Sequence, residues 1–211
     1  MSDQTERHVA IPVGGTRLDA ELLVPAGATG LVVFAPGCEG GGRSPRNRFV
    51  AETLRECGLG TLLFDSPNDE TNRANATRSG VEPSEDRLLA ATDWLRKRDP
   101  TRGLRLGYFG ANVGAAAALR AAAVRGADVG AIVTRGGRVN LASPRLPDVT
   151  AATLLIAGGA DADVLERNRV VLRELTCRKV FAVTEGADEL REVAGLAATW
   201  FETNLSSTTD E

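Results

Sequence analysis

One histidine, His8, serves this whole 211-residue chain. A single imidazole rules out a zinc or iron site built from several of them, and it starves the chain of the usual general base. The three cysteines, Cys38, Cys57 and Cys177, are odd in number, far apart and outside any C-x-x-C spacing. That excludes a disulfide framework and a paired-thiol metal or redox site. No excess of positive charge exists either: the net charge is -3, with no lysine or arginine stripe to follow a nucleic acid or an anionic membrane. No run reaches the roughly 18 apolar residues of a membrane span, and "MSDQTERHVA" lacks the apolar core of a secretory leader. The glycines at 40 to 42 are followed by neither G-x-x-x-x-G-K-[ST] nor G-x-G-x-x-G, so no nucleotide cradle is expected. These absences lead to the expectation of a cytoplasmic protein with no metal or cofactor, whose partner is a small molecule rather than nucleic acid or membrane.

What is present is a chain with 43% apolar and 25% charged residues, the composition of one globular α/β domain over 1–211, with a frayed polar tail at about 206–211. "RHVAIPV" and "LDAELLV" alternate as half-exposed strands do, whereas "GLVVFA" at 30 to 35 is continuously apolar, as buried parallel strands are. Periodicity then predicts a helix over 46–57, a strand over 61–65, a helix over about 84–98, a strand over 104–110 and a helix over 113–125. Strands over 130–136, 152–158 and 179–184 follow, with helices over 162–175 and 189–205. Residues 66–83 read as a polar, turn-rich loop at the rim of a pocket. Two leading strands followed by βα units give a mostly parallel, twisted sheet with helices on both faces, and ligands in such sheets sit beyond the carboxyl ends of the strands.

Four loops share that edge, and one is distinctive. In "LGYFGANVGAAAALR" an apolar strand runs through Gly110-Ala111-Asn112-Val113-Gly114 into an alanine-rich helix. Strand order, length and loops resemble the small α/β-hydrolases of the dienelactone hydrolase type, with little or no lid, over nearly the whole chain. The pentapeptide matches the nucleophile elbow G-x-S-x-G in both glycines, with asparagine in place of serine. The resemblance places Asp161 where the family carries its triad acid. It places Glu189, or its neighbour Asp188, where the family carries its histidine. Pro36-Gly37 stands where one oxyanion-hole amide is supplied, and Glu39 where dienelactone hydrolases hold a glutamate beside the nucleophile.

An asparagine amide is neither nucleophile nor base at neutral pH, and His8 lies in the first strand, so a Ser-His-Asp hydrolase is excluded by residue content. Asn112 has two readings: an anchor that polarises a carbonyl together with the Val113 amide, or a residue that only caps the following helix. Deamidation to aspartate is a third. Asp161 and Glu189 are expected near Asn112, as a carboxylate pair for proton transfer or as helix-opening residues. Cys38 is a displaced nucleophile or a small residue in a turn. Trp94 and Trp200 fall on apolar helix faces and read as core.

Three functions remain open. The chain is an atypical enzyme performing proton transfer, cyclisation, elimination or addition on a carbonyl-containing or ester-like small molecule. Alternatively it is an inactive relative that binds a ligand or partner, or a weak hydrolase using Cys38 or a carboxylate-activated water. Monomer and homodimer are both compatible with the sequence.

Overall fold

A computed structural model describes residues 5–36, 44–64, 81–186 and 188–206. Eight strands form one sheet in the order β1-β2-β4-β3-β5-β6-β7-β8. They are β1 (Thr5–Val13), β2 (Thr16–Val24), β3 (Gly30–Phe34), β4 (Gly60–Phe64), β5 (Arg105–Ala111), β6 (Val129–Arg135), β7 (Ala152–Gly158) and β8 (Lys179–Thr184). β2 runs antiparallel to both neighbours, and every pairing from β4 through β8 is parallel. The burial agrees with the sequence pattern: β3 and β4 are buried at every position, whereas β2 starts exposed and ends buried.

Among the described residues, five α-helices cover the two faces. α1 (Pro45–Glu56) and α5 (Glu189–Leu205) pack Val50, Leu54, Ala197 and Phe201 against one face of the sheet. α2 (Val81–Arg96), α3 (Val113–Arg125) and α4 (Ala162–Glu174) pack Leu88, Ala117, Leu119 and Val171 against the other. α1 begins as its sequence dictates, with Pro45 in the first turn and the Ser44 hydroxyl accepting from the Asn47 amide at 3.2 Å. α2 starts at Val81, three residues before the expected Ser84, because Pro83 in a first turn has no amide proton the helix needs. The loop expected at 66–83 lies mostly outside the described residues, as does the polar tail beyond residue 206.

α3 is the central helix. Nine of its thirteen residues are buried, most of them alanines, and side chains this short let the helix lie close to the sheet directly beyond β5. Two ion pairs join it to α2: Arg120 to Glu85 at 2.6 Å, and Arg125 to Asp93 at 2.8 Å. Arg125 also donates to the Leu89 carbonyl at 2.7 Å. Arginine in a last turn meets the unpaired carbonyls of the helix end favourably.

The structure departs from the sequence reading in two further places. A ten-residue 3-10 helix, Val139–Asp148, sits between β6 and β7 and buries Val139, Ala142 and Leu146 beside α3 and α4. Trp200 is core, 9% exposed, with its indole nitrogen donating to the Ala152 carbonyl. Trp94 is only half-buried, under the Arg98 guanidinium at 4.2 Å, and lines a cleft with Val9, Leu22 and Pro100. Among the described residues, no helix is long and apolar enough to cross a membrane.

Candidate functional site

β5 ends at Ala111 and α3 begins at Val113, which leaves Asn112 alone to turn the chain. Its backbone has φ 51° and ψ -115°, and it is the only non-glycine residue with positive φ among the described residues. Such a conformation costs about 1–3 kcal/mol for a residue with a Cβ. The neighbouring glycines make the turn possible. A Cβ on Gly110 would stand 2.3 Å from the Gly114 carbonyl oxygen, and one on Gly114 would meet Ala35 at 3.2 Å. Glycine at 110 is what lets β5 and α3 approach this closely, and glycine at 114 relieves a tight contact with the chain leaving β3.

Asn112 is anchored by its backbone and not by its side chain. Its amide donates to the Arg135 carbonyl at 3.2 Å, and its own carbonyl accepts from Ala115 at 3.2 Å. The side chain makes no capping hydrogen bond to α3, which removes the capping reading of this residue. Asn112 is exposed, and its Oδ1 lies over Gly136, where an added Cβ would come within 3.5 Å. Val113 is buried and opens α3, so its amide has no partner inside the helix and adds to the positive end of the helix dipole.

Glu189, the first residue of α5, accepts from Arg135 Nη2 at 2.8 Å, with the side chains 20% and 36% exposed for arginine and glutamate respectively. Its Oε1 also lies 3.7 Å from the place where a Cβ on Gly158 would stand. Asn112, Arg135 and Glu189 are thus linked in a chain along the carboxyl edge of β5, β6 and β7. The charged partner that Glu189 meets is the Arg135 guanidinium. Asp161 is exposed and accepts from the Val164 amide at 3.0 Å, the bond of an N-cap. Asp188 precedes α5 and makes no capping bond.

Arg135 was missed in the sequence. Its signal is a charged residue closing the otherwise apolar strand "VGAIVTR", where a buried strand delivers a side chain to the sheet edge. Gly37, Cys38 and Glu39 lie outside the described residues. The segment leading to them is placed: Ala35 donates to the Phe109 carbonyl at 2.7 Å, and the Pro36 carbonyl oxygen would lie 3.5 Å from a Cβ on Gly114. Cys57 closes α1, and its thiol is pushed up by burial, then by Glu202 and Glu56, which disfavours a thiolate. Cys177 lies 3.7 Å from the Thr153 hydroxyl.

No family model matches the chain. A protein of Mycobacterium tuberculosis named "Putative phosphoribosyl transferase" is 42% identical over 205 residues, covering 93% of this chain and 46% of its own length. The chain therefore spans about half the length of the curated relatives it matches. Among solved structures, an esterase from an Arctic intertidal metagenomic library superposes with a TM-score of 0.76 at 17% identity, covering 96% of this chain and 95% of its own. Est1E from Butyrivibrio proteoclasticus superposes at 0.74, also with 17% identity, covering 93% and 98%. At these identities the likeness is one of fold, the α/β-hydrolase fold. The dienelactone hydrolase of Anabaena variabilis superposes with a TM-score of 0.90 at 42% identity, covering 96% of this chain and 99% of that one. With that identity over nearly the full length of both chains, and with the elbow geometry at Gly110–Gly114, the chain belongs to the dienelactone hydrolase family.

Proposed function

We propose that the chain is an atypical enzyme of its family, acting at the elbow on a small molecule that carries a carbonyl or ester-like group. One observation carries this reading: Asn112 keeps a positive-φ conformation that asparagine pays for, while its side chain caps nothing. Strain retained without a structural return is the mark of a working position.

In this reading the Val113 amide and the positive end of α3 receive the carbonyl oxygen as negative charge grows on it. The Asn112 amide donates a second hydrogen bond and orients the substrate. Glu189 accepts or returns a proton at the carbon beside the carbonyl, and Arg135 holds that carboxylate in position. Proton transfer of this kind underlies cyclisation, elimination and addition alike, and it needs no serine or histidine. Asp161 serves α4 in this scheme, because its carboxylate is already engaged by the Val164 amide.

The name of the Anabaena relative favours a second reading, a hydrolase that uses Cys38 or a carboxylate-activated water. The phosphoribosyl transferase name belongs to a protein of which this chain spans 46%, and no phosphate-cradling glycine motif is present here. On our reading a transferase activity resides in the rest of that protein.

The test pairs two assays on wild type, Asn112→Ala, Glu189→Gln and Cys38→Ala: deuterium exchange next to the carbonyl of small lactones and ketones, and turnover of activated esters and lactones. Exchange lost in Asn112→Ala and Glu189→Gln but kept in Cys38→Ala supports the proposal. Ester turnover lost only in Cys38→Ala replaces it with the hydrolytic reading. No exchange and no turnover on any compound, with ligands still binding, replaces it with a binding protein.

A further inference from the structure

The backbone angle that marks the elbow also sets up a reaction within the chain. Cβ of an L-residue stands about 120° from its own nitrogen around the Cα–C bond, a consequence of tetrahedral geometry. At a ψ of -115° the Asn112 Cβ therefore almost eclipses the Val113 nitrogen. In a helix or an extended strand the same two atoms are held roughly 80–100° apart. The eclipsed arrangement is that of a five-membered ring closed through Cα, Cβ, Cγ and the next backbone nitrogen. Rotation of χ1 alone brings the Asn112 amide carbon onto that nitrogen.

We propose that Asn112 is a self-modification site. The Val113 nitrogen, its proton lost to hydroxide, attacks Asn112 Cγ and forms a carbon–nitrogen bond. The Cγ–Nδ2 bond breaks, and the amide nitrogen leaves as ammonia with a proton from water. Water then adds to one carbonyl of the resulting succinimide and opens it to aspartate or isoaspartate. Nothing is oxidised or reduced, and water is the only co-reactant.

Three further observations favour this chemistry. The Val113 amide opens α3 and has no intrahelical acceptor to hold its proton. The Asn112 side chain makes no capping bond that would turn Cγ away. The residue is exposed, and Gly136 beside it adds no side chain over Oδ1, so ammonia has a way out and water a way in. The branched Val113 side chain hinders the same attack in a flexible chain; the folded turn has already fixed the approach. This inference holds whichever reading of function is right.

The test needs no variant. Trypsin releases residues 106–120, "LGYFGANVGAAAALR", in which Asn112 is the only asparagine and no glutamine occurs. The folded protein and the same protein unfolded in denaturant are incubated at one mildly alkaline pH and one temperature, digested at intervals and analysed by mass. Expected are a succinimide form of this peptide lighter by one ammonia, then an acid form that isoaspartyl methyltransferase labels in part, appearing at least about tenfold faster from the folded chain, the scale an imposed orientation brings. An equal or slower rate from the folded chain overturns the proposal, as does an unmodified peptide after prolonged incubation of the folded protein.

Discussion

Arg135 and Glu189, 54 positions apart, meet at 2.8 Å over the carboxyl edge of the sheet and tie the end of β6 to the start of α5. Both side chains are partly exposed, so the pair adds no more than about 1 kcal/mol to stability. Arg135→Ala should therefore leave the melting temperature within a few degrees of wild type, yet lower any carbonyl-directed activity by at least about tenfold through loss of the held carboxylate. Circular dichroism melts beside the exchange assay separate the two effects; a large fall in melting temperature would make the pair structural.

Asn112→Gly should stabilise the fold. It removes a Cβ from a positive-φ position with no side-chain cap to lose, a relief of about 1 kcal/mol after the greater chain entropy of glycine is set against it. For a chain of this size that raises the melting temperature by about 2–4 °C, read in a thermal scan. The same variant should lose any activity that depends on the asparagine amide.

Gly110→Ala should prevent folding or cost well above about 3 kcal/mol. The added methyl would sit 2.3 Å from the Gly114 carbonyl oxygen, and both partners are backbone with nowhere to retreat. Soluble yield and denaturant midpoint report the result; near-wild-type stability would show that the elbow is looser than its geometry.

Tyr108, the single tyrosine of the chain, is fully buried, and its hydroxyl lies 2.5 Å from that of Thr92. Thr92 already donates to the Leu88 carbonyl, so the phenol donates to Thr92. Burial pushes Tyr108 up to about 12, with the Thr92 bond pulling slightly the other way. The folded chain then keeps a proton that the unfolded chain releases near the ordinary value of about 10. Stability is full below that pH and falls by about 2–3 kcal/mol as pH rises from about 10 to about 12. Urea midpoints across that range, with Tyr108→Phe as the variant that should lose this slope, measure it.

Arg120→Met should cost about 2–4 kcal/mol, because it strands the Glu85 carboxylate, whose side chain is only 10% exposed. The double variant Glu85→Gln/Arg120→Met should recover much of the loss. A double-mutant cycle by chemical denaturation gives the coupling, and additive effects would show that the pair does not interact in solution.

Most of the architecture could be read from hydrophobic period. The expected helix over 113–125 and the strands over 152–158 and 179–184 match their observed bounds, since continuous apolar runs and an alanine block leave little choice of register. "VNLASPRLPD" could not be read, for Pro144 and Pro147 break any helical period and the 3-10 turns draw their stability from α3 and α4. At the candidate site, the glycines around Asn112 announced the turn. The partner of Glu189 did not show, because an ion pair across 54 positions leaves no local pattern. For Asp161 the sequence offered two uses, a helix-opening residue and a site carboxylate, and the bond it accepts from the Val164 amide is the part the structure supplies.

The close approach of Gly110 to Gly114 has an evolutionary consequence. Because backbone packs on backbone there, the tip residue between them contributes little to holding the architecture together. Serine, cysteine, aspartate or asparagine can occupy that tip in turn, each bringing a different reactivity to one unchanged address. A lineage can therefore trade one chemistry for another by a single codon, without passing through an unfolded ancestor.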